Sequence, residues 1–344
     1  GAAELSADDL QGTGIPRKEL LKLVKCVLKC AVAQAGSLEN VSADDIDAAL
    51  SAADVGEGDV RAAARDAILR GLVLIFATHA WRYSRGRNVK VAVLDTGIDP
   101  RHPDLRVYGG ISYVPGVASW LYDHYHATHI PATIAAILNA RGIAGVATEA
   151  RLYAVKVLNR AGSGMTSWIV NGILACARAR MDVANLSLGS AAGTHDRRVY
   201  SVAFERAGQQ LRAVGGLAVA ASGNDNSFVG NPARCPSFMA VGAIDNSRRR
   251  APFSNFGPQV EICAPGVSVV STVPGGRYRA LSGTSMATPH VAGVAALVKA
   301  RRPTRSGSSI RVHLWRTALD LGVAGRDWAF GYGQVHAYRA VVTA

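Results

Sequence analysis

Val89-Lys90-Val91-Ala92-Val93-Leu94 is followed directly by Asp95-Thr96-Gly97. A short run dominated by β-branched and small apolar side chains, closed by a turn, predicts a strand buried on both faces of a sheet, as parallel pairing requires. The same texture returns at residues 152–158, 183–188, 217–221, 238–244 and 260–263. Helical patterns lie between several of these runs, at 166–180, 197–214 and 284–302. Strand and helix alternating from residue 89 to the C-terminus predict one α/β domain with a doubly wound, mainly parallel β-sheet and helices on both faces. In such a sheet, functional residues collect beyond the carboxyl ends of the strands.

Composition narrows the class. Of 344 residues, 49% are hydrophobic and 18% charged, enough apolar material for a sizeable core, which excludes a disordered or fibrous chain. The formal charge of +13 is uneven: residues 1–66 hold 7 basic and 12 acidic side chains, the rest 31 and 13. A basic chain invites a nucleic-acid partner, but the longest basic run is only Arg248-Arg249-Arg250 and no nucleic-acid signature accompanies it, so none is expected. No apolar run approaches the roughly eighteen residues that span a bilayer, so no membrane association is expected. The five cysteines, Cys26, Cys30, Cys176, Cys235 and Cys263, form no CxxC pair and indicate neither a disulfide scaffold nor a zinc ribbon. Apolar residues at helical spacing from Leu20 to Val32, a helix start at Ser42 and an amphipathic stretch at 59–72 predict a small, mainly helical region, 1–72, ahead of the domain at 73–344.

Four elements carry chemistry. Asp95 ends the first strand, as a functional acid or a turn cap. Asp123-His124-Tyr125-His126-Ala127-Thr128-His129 places three histidines in six residues, which reads as a metal site, a catalytic base, or packed histidines without a task. Ser282-Gly283-Thr284-Ser285-Met286-Ala287 puts Ser285 at the start of a small-residue helix, where free backbone N–H groups favour developing negative charge; Ser285 reads as a nucleophile or, more plainly, an N-cap. Ala220-Ala221-Ser222-Gly223-Asn224 follows a buried strand, so Asn224 is an oxyanion donor or an ordinary turn residue.

Taken together, the order Asp95, His126, Asn224, Ser285 resembles the subtilase family of serine proteases, secreted thermostable members among them. The resemblance covers about three quarters of the chain. It implies that Ser285 attacks the scissile carbonyl, that His126 shuttles the proton, that Asp95 orients the imidazole, and that Asn224 holds the oxyanion. It implies that Ser163-Gly164-Met165 and Ser187-Leu188-Gly189 flank an extended substrate. Ala220, Ala221, Gly223 and Gly230 would then line a roomy first pocket suited to broad specificity. A structural Ca²⁺ is implied at the side chains of Asp104 and Asn139 and the backbone oxygens of Ile137, Arg141 and Ile143. A secreted, monomeric endopeptidase acting on proteins or peptides is expected, with residues 1–72 as its own pro-region and partner.

Two positions depart from the family pattern. Ala127 stands where glycine is usual, and Pro131 lacks an N–H and crowds the carbonyl of Ala127, so the helix carrying His126 is expected to kink. These departures keep open a catalytically impaired, subtilase-fold binding protein. A metallohydrolase built on His124, His126 and His129 is a further alternative, which leaves Ser285 unexplained.

Overall fold

Alternation along single strands shows how the two faces of the sheet are filled. In a computed structural model that describes residues 70–122, 126–139, 142–190 and 200–344, β1 (Lys90–Asp95) sends Val91 and Val93 into one core and Ala92 and Leu94 into the other. β5 (Leu217–Ala221) does the same with Leu217 and Val219 against Ala218 and Ala220. Period-two side chains with both faces apolar leave such strands no place but the middle of a three-layer structure.

The remaining strands of the sheet are β2 (Val107–Ser112), β3 (Arg151–Lys156), β4 (Val183–Leu186), β6 (Phe238–Ile244) and β7 (Val260–Pro265). Seven strands run parallel in the order β2-β3-β1-β4-β5-β6-β7. The chain thus starts near the centre, winds outward on one side, and returns to continue from β4 on the other. The expected doubly wound parallel α/β sheet is what the structure contains, and the reversal beside β1 is where such folds build their sites.

Helices α1 (Arg70–Leu74), α2 (Ala77–Ala80) and α3 (His126–Ala135) precede β3, and α4 (Thr166–Arg178) and α5 (Val202–Ala213) flank β4. An antiparallel hairpin, β8 (Val269–Val273) with β9 (Arg277–Leu281), leads into α6 (Thr284–Arg301), and α7 (Gly307–Thr317) and α8 (Ala337–Val342) close the chain. The one helix in this set buried on nearly all sides is α6, from Met286 to Val298, so its sequence is apolar all round rather than amphipathic.

Element ends differ from expectation for local reasons. The helix expected over 166–180 stops at Arg178, because Arg180 takes a left-handed conformation at φ 48°. β4 stops at Leu186, so Ser187 and Leu188 leave the sheet instead of extending it. The helix expected over 197–214 runs from Val202 to Ala213, and residues 197–199 lie outside the described residues. β2 escaped the pattern as an edge strand whose residues alternate between half-buried and exposed. The hairpin escaped it because Ser271, Thr272 and the arginines of β9 break the apolar run.

Contacts divide the chain into two units, 1–67 with 138–142, and 68–137 with 143–344; the second contains every helix and strand among the described residues. The N-terminal helices expected within residues 1–69, with Cys26 and Cys30, lie outside the described residues.

Candidate active site

Three strand ends meet at one edge of the sheet. β1 pairs with β4 through Val93 and Asn185, and β4 pairs with β5 through Leu186 and Ala220. Asp95, at the end of β1, is fully buried, and its Oδ1 accepts from the N–H of Thr96 at 2.7 Å. The turn beyond it is held by Lys156 at the end of β3, whose buried ammonium donates to the carbonyl of Thr96 at 2.5 Å. Gly97 is obligatory: at φ 109° a Cβ there would sit 2.5 Å from the carbonyl oxygen of Leu121.

At the end of β5, Gly223 turns at φ 111°, and a Cβ on it would collide with Asn255. Asn255 explains the turn. Its Oδ1 accepts from the N–H groups of Asp225 and Ser227, and its Nδ2 donates to the carbonyls of Ser222 and Phe228. Asn224 therefore projects from a fixed loop. Its Oδ1 accepts from both the N–H and the hydroxyl of Thr284, at 2.8 and 2.9 Å. Two donors on that oxygen settle which end of the amide is which. The Nδ2 end is left as a donor at the site.

Ser285 is the second residue of α6, half-buried at the helix N-terminus. Its hydroxyl donates to the carbonyl of Ser187 at 3.1 Å, and the Ser187 hydroxyl donates back to the carbonyl of Ser285 at 2.8 Å. The structure thus brings Ser285, Asn224, Ser187 and the end of β1 to one edge. For His126, which opens α3, and for Ala127, the structure describes the backbone alone. That helix is tied to the Asp95 loop by the bond from Asp99 N–H to Thr128 Oγ1 at 3.3 Å. It is tied to β8 by the hydroxyls of Ser271 and Thr272, which donate to the carbonyls of His129 and Thr128. Pro131 is accommodated without ending the helix, which continues to Ala135.

Gly189 and Gly230 lie against neighbours at ordinary contact distance: an added Cβ would find Asn231 O at 3.7 Å from Gly189 and Ser190 Cβ at 3.9 Å from Gly230. Ala220 and Ala221 are buried beneath, with Gly223 half-buried. Ser163 and Gly164 are exposed, as is Met165 just ahead of α4; Gly164 rides so close to the carbonyl of Val157 that no side chain fits there. Leu188 is buried beside the exposed Gly189.

Of the histidine cluster, His124 lies outside the described residues. His129 is buried, its Nε2 within 2.9 and 3.1 Å of the carbonyls of Val269 and Arg279. Since carbonyls only accept, that nitrogen carries a proton and does not face a metal. No group of three or more His, Cys, Asp or Glu side chains suited to a metal occurs among the described residues. Asp104 is fully buried: its Oδ2 accepts from the N–H of Ile143 at 3.0 Å and from the Tyr278 hydroxyl at 2.8 Å, while its own carbonyl accepts from the N–H of Ile137. Arg141 lies outside the described residues.

Sequence reasoning missed Thr284, Asn255 and Lys156. Only Thr284 had a signal, as the residue between Gly283 and the candidate nucleophile.

Comparison with known proteins identifies the family. The subtilase family model matches residues 86–333. Subtilisin NAT of Bacillus subtilis subsp. natto is 46% identical over 270 residues, 77% of this chain and 68% of its own length. Subtilisin of Bacillus pumilus is 45% identical over 270 residues, covering 94% of that protein. Subtilisin Savinase of Lederbergia lenta is 49% identical over 256 residues, 74% of this chain and 91% of its own. With its fold and match of this extent, the chain belongs to the subtilase family and is a subtilisin-like serine endopeptidase.

Proposed function

We propose that the chain hydrolyses peptide bonds through Asp95, His126 and Ser285, with Asn224 and the Ser285 N–H as oxyanion donors. The observation that carries this is the pairing of a serine at the N-terminus of a buried helix with an asparagine amide fixed by Thr284. Ser285 Oγ leaves the Ser187 carbonyl and attacks the substrate carbonyl as its proton passes to His126. The negative charge that develops falls where the helix N-terminus and the Asn224 Nδ2 stabilise it. His126 then protonates the departing amine, and water repeats the sequence on the acyl-enzyme.

The substrate lies extended between Ser163-Gly164-Met165 and Ser187-Leu188-Gly189. Its first side chain enters the pocket of Ala220, Ala221, Gly223 and Gly230, whose small residues support broad specificity. A buried Asp104 carboxylate supports a structural Ca²⁺: its Oδ2 accepts from Ile143 N–H and its backbone carbonyl from Ile137 N–H, which brings both residues beside it. Asp104, Asn139 and the backbone oxygens of Ile137, Arg141 and Ile143 would hold the ion, which supplies rigidity and no chemistry. Residues 1–72 act as an acidic pro-region on a basic, secreted, monomeric enzyme. No helix among the described residues is long and apolar enough to cross a membrane.

Casein cleavage tests the reading: phenylmethanesulfonyl fluoride abolishes it, and cleavage that survives sulfonylation of Ser285 overturns it. Ala127 and Pro131, beside His126, favour a second reading, an impaired enzyme that binds without cutting. A fluorophosphonate probe separates the two, labelling the native chain but not Ser285→Ala only if the site is active.

A further inference from the structure

We propose that Asn185 is a positioning residue for Ser285, acting through Ser187 to replace a helix hydrogen bond that Pro289 removes. The inference rests on the reading of Ser285 as nucleophile.

Asn185 lies in the middle of the sheet, in register with Val93 of β1 and Val219 of β5, and is fully buried. An amide there is costly unless it bonds, and an aliphatic side chain would suit the site as it does both neighbours in register. Its Nδ2 donates to Ser187 Oγ at 2.9 Å. Its Oδ1 meets no partner among the described residues, so the donation to Ser187 is what holds the amide in place.

The direction of this chain is fixed. Ser187 Oγ lies 2.8 Å from the carbonyl of Ser285, which can only accept, so the Ser187 hydroxyl donates there. Its oxygen must then accept, and Asn185 supplies the proton. An aspartate or an aliphatic residue at 185 cannot.

The Ser285 carbonyl needs this donor. In an α-helix it would accept from the N–H four residues on. That residue is Pro289, inside α6, with no N–H and a ring that crowds the same carbonyl. The sequence thus strips the nucleophile's carbonyl of its helical partner and returns one from β4. The relay Asn185 to Ser187 to Ser285 sets the backbone of the nucleophile against the strand edge that also carries Asp95. Ser285 Oγ bonds back to the carbonyl of Ser187, closing the pair.

The test uses the full chain and a peptide p-nitroanilide. Asn185→Leu replaces the amide by an apolar side chain of the same branching and heavy-atom count, and Ser187→Ala removes the hydroxyl. Each is expected to lower kcat about tenfold with KM within about twofold, the scale of one lost hydrogen bond. Fluorophosphonate labelling should slow in parallel, with the melting temperature unchanged or raised. Should Asn185→Leu fail to fold, Ser187→Ala carries the test. In a Pro289→Ala background, where residue 289 regains its N–H, the loss from either change should shrink to about twofold. Wild-type kcat in both variants overturns the proposal, as does a loss undiminished in Pro289→Ala. Activity persisting in Ser285→Ala would instead overturn the reading of the nucleophile itself.

Discussion

Thr284 gives both its donors to one atom: its N–H and its hydroxyl reach Asn224 Oδ1 at 2.8 and 2.9 Å. The amide is therefore oriented before any substrate arrives. Asn224→Ala should lower kcat about 10²–10³-fold with little change in KM, as loss of one oxyanion donor does. Thr284→Val, which keeps the backbone donor, should cost about tenfold. Steady-state kinetics on a peptide p-nitroanilide check both, and a Thr284→Val enzyme as slow as Asn224→Ala would contradict the orienting role.

Asp95 is buried at the end of β1, with Thr96 N–H on one carboxylate oxygen. Asp95→Asn keeps the shape but removes the charge that orients and stabilises an imidazolium. A kcat loss of about 10⁴-fold is expected. Slow fluorophosphonate labelling of Ser285 in that variant would show the nucleophile still in place. Activity within tenfold of wild type would remove Asp95 from the triad.

His290, buried in α6, donates from Nδ1 to the Met286 carbonyl at 2.9 Å, and burial holds its pKa down to about 4. The unfolded chain binds the proton near pH 6.5 and the native one only near 4. Stability is therefore complete above about pH 6.5 and declines as pH falls toward 4, by on the order of 3 kcal/mol from this residue at the most. Thermal melts of Ser285→Ala, chosen because the proposed mechanism leaves it unable to digest itself, should show the decline, and His290→Gln should flatten it. Equal slopes with and without His290 would rule the linkage out.

Burial pushes the thiols of Cys176 and Cys235 up to about 12 and that of Cys263 higher still. A thiol so protonated and enclosed does not react. Iodoacetamide followed by peptide mapping should leave all three unmodified in the native protein at pH 8 and alkylate them in guanidinium. Labelling of Cys176 or Cys263 in the native state would show that the core opens locally.

The central strands were legible because burial on both faces leaves few residues to choose from; 217–221 and 238–244 were read to the residue. β2 and the hairpin were not, since an edge strand and a two-stranded ribbon need only half of their residues apolar. Of the expected site residues, Ser285 and Asn224 were picked out by residue type in a sequence neighbourhood, and the structure brings them to one edge of the sheet. Asn255 and Lys156 act on residues 33 and 60 positions away, and no local pattern announces a partner brought in by the crossing of the chain. Asn185 sits in a run that reads as strand, and only its bond to Ser187 Oγ, seen in the structure, explains why an amide is there.

The helix that carries Ser285 as its second residue is enclosed in the domain core from Met286 to Val298. The helix end that carries Ser285 is therefore anchored directly in the core. Heat should abolish hydrolysis and melt the molecule in one step, with no interval in which a folded body carries a loosened site. Selecting variants for residual activity after heating then selects directly for the stability of the whole domain.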